Sequence, residues 1–241
     1  MRLKHLVAET LGYRLKNKKR SHDFLDTHLK QIFSAYDINT VIDVGANIGQ
    51  YGLYLKKNGF KGRIISFEPI RETFLKLEEV AKNYPNWDVF NCALGEKEEK
   101  KKMHIAGKSG ETDFSSFLSP NSRAFEDFSI RSTESLNEIL IKVLGNLVDE
   151  LGIDSKSKIH LKMDTQGYDL NVFNGAGSIL NFVESMQSEI SFVPVYDGMP
   201  SFVDSLKCFT EKGFKVSGIY PVSRSKDKLY LVESDAILVK G

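Results

Sequence analysis

The sequence predicts an α/β fold: a doubly wound, mostly parallel sheet of seven strands, with helices on both faces and a helical extension at the N-terminus. Three observations lead there. Short apolar runs rich in β-branched residues, such as Val41, Ile42 and Val44, stop abruptly at a glycine or an acid, as buried parallel strands do. Segments with apolar residues at helical spacing follow them in alternation. No repeat of fixed period and no low-complexity tract breaks the pattern, so one domain accounts for the chain.

Taken in order, the first forty residues place Phe24, Leu25, His28, Leu29, Ile32 and Phe33 at helical spacing, which predicts one or two helices that cap the core or form a lid. We therefore expect a helical cap over 1–38 and the main domain over 39–241. The first strand begins at Thr40 and stops at Gly45, with a helix from Gln50 to Asn58. A second strand from Arg63 to Phe67 ends at Glu68 and Pro69, before an amphipathic helix through Phe74, Leu75, Leu77 and Val80. Trp87 to Leu94 reads as a third strand. The charged stretch Glu96 to Lys102 with His104 and Ile105 reads as a turn and an edge strand, where lysines deter pairing with other chains.

From Gly107 to Ser157 the pattern weakens, with a polar loop at 109–122 and a helical segment at 136–151. This 107–157 segment is expected to be a variable insert and the site of substrate-specific variation. A fourth strand, Lys158 to Met163, runs into Asp164 and a helix through Leu170, Val172, Phe173 and Ile179. A fifth strand near Met186 to Val193, a helix from Ser201 to Lys212, and strands at 214–220 and 236–239 complete the sheet.

Composition narrows the function classes. The chain has 241 residues, 41% of them hydrophobic, and a formal net charge of +1, which gives no reason to expect a nucleic-acid partner. Arg14, Lys16, Lys18, Lys19 and Arg20 are locally basic, as a solvated helix end is. Cys92 and Cys208 fit neither a disulfide framework nor a metal-ligand spacing. Without an apolar leader or a run long enough to span a membrane, a cytoplasmic protein is expected.

The loop Asp43-Val44-Gly45-Ala46-Asn47-Ile48-Gly49 lies where a strand hands over to a helix, and its glycines allow a tight turn and close approach of a ligand. Glu68, at the end of the next strand, can accept hydrogen bonds from a ribose diol. Asn47 stands where a pyrophosphate-binding loop has its middle glycine, and none of the nine tyrosines has a lysine four residues on, as a short-chain reductase would require. The pattern fits S-adenosylmethionine better than a dinucleotide, because that cofactor has no phosphate to cradle. The alternative is that Gly45 and Gly49 serve packing and Glu68 caps the next helix.

Several motifs in order make the chain resemble the FkbM-type methyltransferases, a Rossmann-like S-adenosylmethionine-dependent group, over about Thr40 to Lys240. They are 41–49 (VIDVGANIG), 66–69 (SFEP), 91–95 (NCALG), 161–169 (LKMDTQGYD) and 187–191 (QSEIS). The resemblance implies that Asp43, Gly45, Asn47 and Gly49 surround the methionine moiety, that Glu68 holds the ribose and that Asn91 and Ala93 flank the adenine. It also implies that Ser115 and Ser116 lie near the cofactor. The family often has glutamate where this chain has Gln166, which weakens any scheme with a charged base or metal ligand there.

Methyl transfer to an aliphatic hydroxyl needs a proton acceptor, and Asp164 and Glu189, at the ends of adjacent strands, are the candidate catalytic carboxylates. Strand alternation puts His160 and Lys162 beneath Asp164, with Asp43 or Glu189 as the partner a buried lysine requires. His22 and His28 could serve only if the N-terminal segment folds over the site. Tyr196, Asp197 and Gly198 form a turn that could contact a sugar. Magnesium could be held by carboxylate and amide oxygens, but no ligand spacing demands a metal. The resemblance implies, as the expected activity, O-methylation of a glycan, a sugar or a small natural product. The alternatives are a cofactor-binding regulatory protein, for which Gln166 is a hint, and a nucleic-acid methyltransferase.

Overall fold

The computed structural model describes residues 23–105, 115–122, 135–225 and 229–241. Helix α1 (Asp23–Ala35) precedes β1 (Thr40–Val44), α2 (Gln50–Lys57), β2 (Arg63–Phe67), α3 (Arg71–Ala81) and β3 (Trp87–Phe90). Strands β4 (Ala93–Leu94), β5 (Glu99–Ile105) and β6 (Ser135–Lys142) follow, then β7 (Ile159–Met163), α4 (Asp169–Gly175) and β8 (Val183–Ser191). Helix α5 (Phe202–Glu211), β9 (Phe214–Arg224) and β10 (Leu231–Lys240) end the chain. The main sheet has the order β3-β2-β1-β7-β8-β10-β9. It is parallel except for β10, which runs antiparallel to β8 and β9. Strand order reverses between β1 and β7, and a sheet of this kind opens a ligand crevice there, at the carboxyl ends of its strands.

All five residues of β1 are buried, because both faces of the sheet are covered. Ile42, Val44, Ile65, Phe67, Leu161 and Met163 point to one face, where Phe173 and Phe209 of α4 and α5 pack. Val41 and Ile64 point to the other, against Leu55 of α2, Leu77 of α3 and Trp87. Helix α1 lies on this second face too, with Leu25, Leu29 and Ile32 against Ile237 of β10. Helix α5 starts as its sequence suggests: the Ser201 hydroxyl accepts from the Asp204 N–H in a capping box.

Three expectations need correction. The third strand stops at Phe90, and Ala93 and Leu94 belong to a separate three-stranded sheet of order β4-β6-β5. The break lies at Asn91, whose amide donates to the carbonyls of Glu68 (2.9 Å) and Pro69 (3.1 Å) and so turns the chain out of the main sheet. The helix expected at 136–151 is instead strand β6 followed by a 3-10 turn at Leu144–Asn146. Its apolar residues satisfy helical spacing, yet burial alternates, with Ile139 and Ile141 inside and Glu138 and Leu140 outside, and β5 pairs with it antiparallel. Finally, the helix expected from Leu170 to Ile179 ends at Gly175, where a Cβ would stand 2.0 Å from the Gly95 carbonyl oxygen; a 3-10 turn, Gly177–Asn181, carries Ile179.

Strand β5 is an edge of the small sheet, in keeping with its lysines. Of the polar loop at 109–122, residues 115–122 are described. Leu144, Leu147 and Leu151 lie in the main core. The basic N-terminal residues 14–20 and His22 fall outside the described residues.

If β6 is a strand as described, its two neighbours differ sharply. Ile141→Ala, at 0% exposure, should cost about 2–5 kcal/mol. Leu140→Ala, at 46% exposure, should stay within about 1 kcal/mol. Urea denaturation of the two variants measures the contrast, and equal losses would contradict the alternation.

Candidate active site

A cavity of about 1070 Å³ opens at the carboxyl ends of β2, β1, β7 and β8. One wall is the turn after β1. Gly45 has φ +79°, and a Cβ there would lie 2.0 Å from the Asp164 carbonyl oxygen, so only glycine lets the ends of β1 and β7 approach this closely. Asn47 takes a left-handed φ of +49°, which asparagine tolerates, and its N–H donates to Glu68 Oε2 at 2.9 Å. The other Glu68 oxygen accepts from Ile70 N–H at 2.8 Å. Glu68 is 4% exposed, and burial raises its pKa to about 7, although these two backbone bonds favour the anion.

Gly45, Asn47, Glu68 and Ala93 line the cavity. Asp43, Gly49 and Asn91 lie behind its wall: Asp43 under the floor, Gly49 at the start of α2, and Asn91 tying down the Glu68 turn. Ser115 lines the cavity, whereas Ser116 does not. The Ser116 hydroxyl donates to the Gln166 carbonyl at 2.7 Å and so fastens the 115–118 segment to the turn after β7.

Beneath the cavity a polar row crosses three strands. Register aligns Ser66, Asp43 and Lys162, and Trp87 Nε1 donates to the Ser66 hydroxyl at 3.0 Å. Lys162 Nζ stands 3.3 Å from Asp43 Oδ1, 3.4 Å from Asp164 Oδ2 and 5.2 Å from the centre of the Tyr51 ring. Of the two partners foreseen for this lysine, the fold selects Asp43. Burial works against the charge on Lys162, but the two carboxylates outweigh it and hold its pKa above the usual lysine range. Burial likewise raises Asp43, and Lys162 opposes the rise. His160 is structural: its Nδ1 meets the Ser185 hydroxyl at 2.8 Å, its ring packs on Phe33, and burial lowers its pKa to about 3.

On the far side, Asp164 and Glu189 both line the cavity and are linked through Gln166. The two N–H groups of one amide serve both acids, since Gln166 Nε2 donates to Asp164 Oδ1 at 3.3 Å and to Glu189 Oε2 at 3.1 Å. Tyr196 completes the link by donating to Gln166 Oε1 at 3.3 Å. A glutamate at 166 would put a third carboxylate between two others, and glutamine removes that repulsion. Burial first, and then Asp164 and the other nearby carboxylates, push the pKa of Glu189 well above the usual range. Asp169 supports the arrangement from behind, accepting from Thr165 N–H, the Ser188 hydroxyl and Glu189 N–H.

The turn at 196–198 does not reach the cavity: Tyr196 is buried against Gln166 and Asp197 is exposed. His28 also lies elsewhere, with its Nδ1 at the Tyr220 hydroxyl (2.8 Å) and its Nε2 at the Ser217 hydroxyl (2.9 Å). Its helix nevertheless roofs the cavity through Leu25, Asp26 and Leu29. The sequence reading missed Glu233 and Asp235, which project into the cavity from β10. Their spacing of two in a strand, in line with buried Ile237, is the signal that could have found them. Among the described residues no three His, Cys, Asp or Glu are grouped to hold a metal ion, and no helix is long and apolar enough to cross a membrane.

A family model described as the methyltransferase FkbM domain matches residues 43–216. Comparison with curated proteins gave no match. Among solved structures the chain is similar to WbdD, at 10% identity and a TM-score of 0.52, over 95% of this chain and 41% of that one. It is also similar to Aeropyrum pernix fibrillarin in complex with S-adenosyl-L-methionine, at 11% identity and TM-score 0.45, over 83% of this chain and 66% of the other. An rRNA methylase from Streptococcus thermophilus matches at 11% identity and TM-score 0.47, over 93% and 99%. The likeness to WbdD is one of fold, and this chain spans less than half of that protein's length.

The buried ion pair gives a test of the floor. Lys162→Met leaves Asp43 buried without its counter-charge and should cost about 3–5 kcal/mol in urea denaturation. The double variant Lys162→Met, Asp43→Asn should recover much of that loss, and a double variant as unstable as the sum of the singles would contradict the pairing.

Proposed function

This chain belongs to the FkbM methyltransferase family, and from that premise we propose that it binds S-adenosylmethionine at the ends of β2, β1 and β7 and methylates a hydroxyl of a sugar, a glycan or a small natural product. The observation that carries this reading is Glu68. It is a nearly buried carboxylate on the wall of a large cavity, with one backbone N–H on each oxygen and a lone pair left on each for a ribose diol. The glycine turn beside it leaves room for the cofactor, so the residues fit the group.

The cofactor, once bound, supplies a methyl group activated by a sulfonium. The remaining work falls to the chain. Gln166 fixes Asp164 and Glu189 relative to each other, and such positioning is worth much in an in-line displacement. Glu189, with its raised proton affinity, would take the proton of the hydroxyl that receives the methyl group, while Asp164 would accept a hydrogen bond that aligns the acceptor. Asp43 acts through Lys162, Asn91 holds the turn that presents Glu68, and Ser115 closes the cofactor side. Helix α1 acts as the roof over the acceptor, within the cap expected over 1–38, and the 107–157 segment contributes to acceptor choice.

Release of S-adenosylhomocysteine with a panel of hydroxylated acceptors tests the reading. Glu189→Gln should lower turnover about a hundredfold to ten-thousandfold. Because the deprotonated form is active, turnover of the unmodified chain should rise with pH through the raised pKa of Glu189 and then level off. Activity should survive EDTA. Full activity in Glu189→Gln would remove the base assignment, and loss with EDTA reversed by magnesium would pass proton removal to a metal ion.

A further inference from the structure

Helices α1 and α2 both descend from the carboxyl ends of the strands toward their amino ends, and each turns one stripe of side chains to the space between them. Leu25 and Leu29 of α1 line the cleft together with Tyr51 and Tyr54 of α2. Below the cleft lies a second cavity of about 540 Å³, beside Ile38 and Gly62, which precede β1 and β2. Leu29, Tyr54 and Asn58 line both cavities, so the two adjoin across these side chains. The stripe on α1 continues from Leu25 to Phe33 in the lower cavity, a length of about 12 Å at the rise of an α-helix.

The lower cavity has an apolar lining. Leu29, Ile38 and Leu55 are buried there, and Phe33 meets Phe60 edge to face with ring centroids 5.5 Å apart. Its polar side chains are mostly engaged with the protein. Lys30 Nζ donates to Asn58 Oδ1 at 2.9 Å, and the Asn58 amide donates to the Tyr54 carbonyl at 2.9 Å. The Asn39 amide donates to the Lys156 carbonyl, and its oxygen accepts from the Thr40 hydroxyl and the Lys158 N–H. The Tyr54 hydroxyl donates to Asp26. Exposed Lys61 is the polar side chain that remains, so a polar ligand would lose its water here and find few partners, whereas an apolar one needs none. The two links between the helices, Asp26 to Tyr54 and Lys30 to Asn58, repeat at a spacing of four on both helices. They strap α1 to α2 over the apolar stripe, and a hydrogen bond as exposed as Lys30 to Asn58 costs little to open.

We propose that the acceptor carries an alkyl or acyl arm several carbons long, which lies between α1 and α2 and ends in the lower cavity while the hydroxyl stands in the cleft. This rests on the methyl-transfer reading of the adjoining cleft. The arm supplies affinity remote from the reacting atoms, in proportion to the apolar surface it buries. A free sugar would fill the cleft alone and forgo that contribution.

A ladder of alkyl chains tests the proposal. Methyl, butyl and octyl β-D-glucosides, kept below their micelle concentrations, are titrated into the chain saturated with S-adenosylhomocysteine, with binding followed by NMR. Affinity should rise with chain length, octyl exceeding methyl about tenfold or more, since each fully buried CH2 favours binding about fourfold. The octyl compound should shift the ring resonances of Phe33 and Phe60, and the methyl compound should leave them in place. Asn58→Trp, a change at an exposed residue where the two cavities meet, should weaken the octyl compound about tenfold and leave S-adenosylhomocysteine affinity unchanged. If that variant fails to fold, the chain-length dependence and the Phe33 and Phe60 shifts of the unmodified chain decide the matter. Equal affinity along the ladder, no binding of the octyl compound, or octyl binding without shifts at Phe33 and Phe60 would overturn the proposal. So would shifts at these rings that follow protein concentration without any glucoside, which would give the groove to a second copy of the chain. Calorimetry with S-adenosylhomocysteine on the same preparation separates the two readings. Octyl glucoside bound in the lower cavity of a chain unable to take up S-adenosylhomocysteine counts against methyl transfer and not against the apolar site.

Discussion

The ammonium of Lys162, buried between Asp43 and Asp164, is the interaction around which the cleft is arranged. It forms only when β1 and β7 pair in the register that sets Asp43 beside Lys162, since a slip of one residue would turn either side chain to the opposite face. Around it the chain leaves little freedom. Gly45 must lack a side chain because the Asp164 carbonyl stands where a Cβ would be, and Tyr51 of α2 lies over the lysine. Breaking such a pair by removing one partner is expensive, so the pairing fixes register more than it adds net stability.

From that centre the two walls are built by different means. The Glu68 wall depends on backbone geometry: two N–H groups aim the carboxylate, and Asn91 diverts the chain into the small sheet so that Ala93 and Leu94 close the side. The acidic wall depends on side chains, with Gln166 as a neutral bridge between Asp164 and Glu189 and with Glu233 and Asp235 added by the antiparallel strand β10. One wall thus presents a single carboxylate aimed by backbone, and the other the two candidate catalytic carboxylates.

Much of this could be read in the sequence because it is local. The runs 41–44, 63–67 and 158–163 are short and rich in Val, Ile, Leu, Met and Phe, and an acid or glycine follows each, so strands, turns, Glu68 and Asp164 are legible together. Strand β6 was not legible, because Leu136, Ile139, Leu140 and Val143 satisfy helical spacing and only pairing with β5 settles the matter. The break at Asn91 depends on two carbonyls more than twenty residues away. Gln166 looked like a loss because its value lies in two carboxylates brought to it by different strands, and Glu233 and Asp235 join the site only through the pairing of β10 with β8.

The central claim, that the cofactor is held by the Glu68 carboxylate in this cleft, meets its most direct test in calorimetric titration of S-adenosylmethionine as a function of pH. Burial raises the pKa of Glu68 to about 7, so its carboxylate form is scarce below that pH and abundant above it. The account predicts one-to-one binding that tightens about tenfold from pH 6 to pH 8, following the ionised fraction, with weaker and pH-independent binding in a folded Glu68→Gln chain. Equal affinity at both pH values, or a Glu68→Gln chain that binds as tightly as the original, would contradict it.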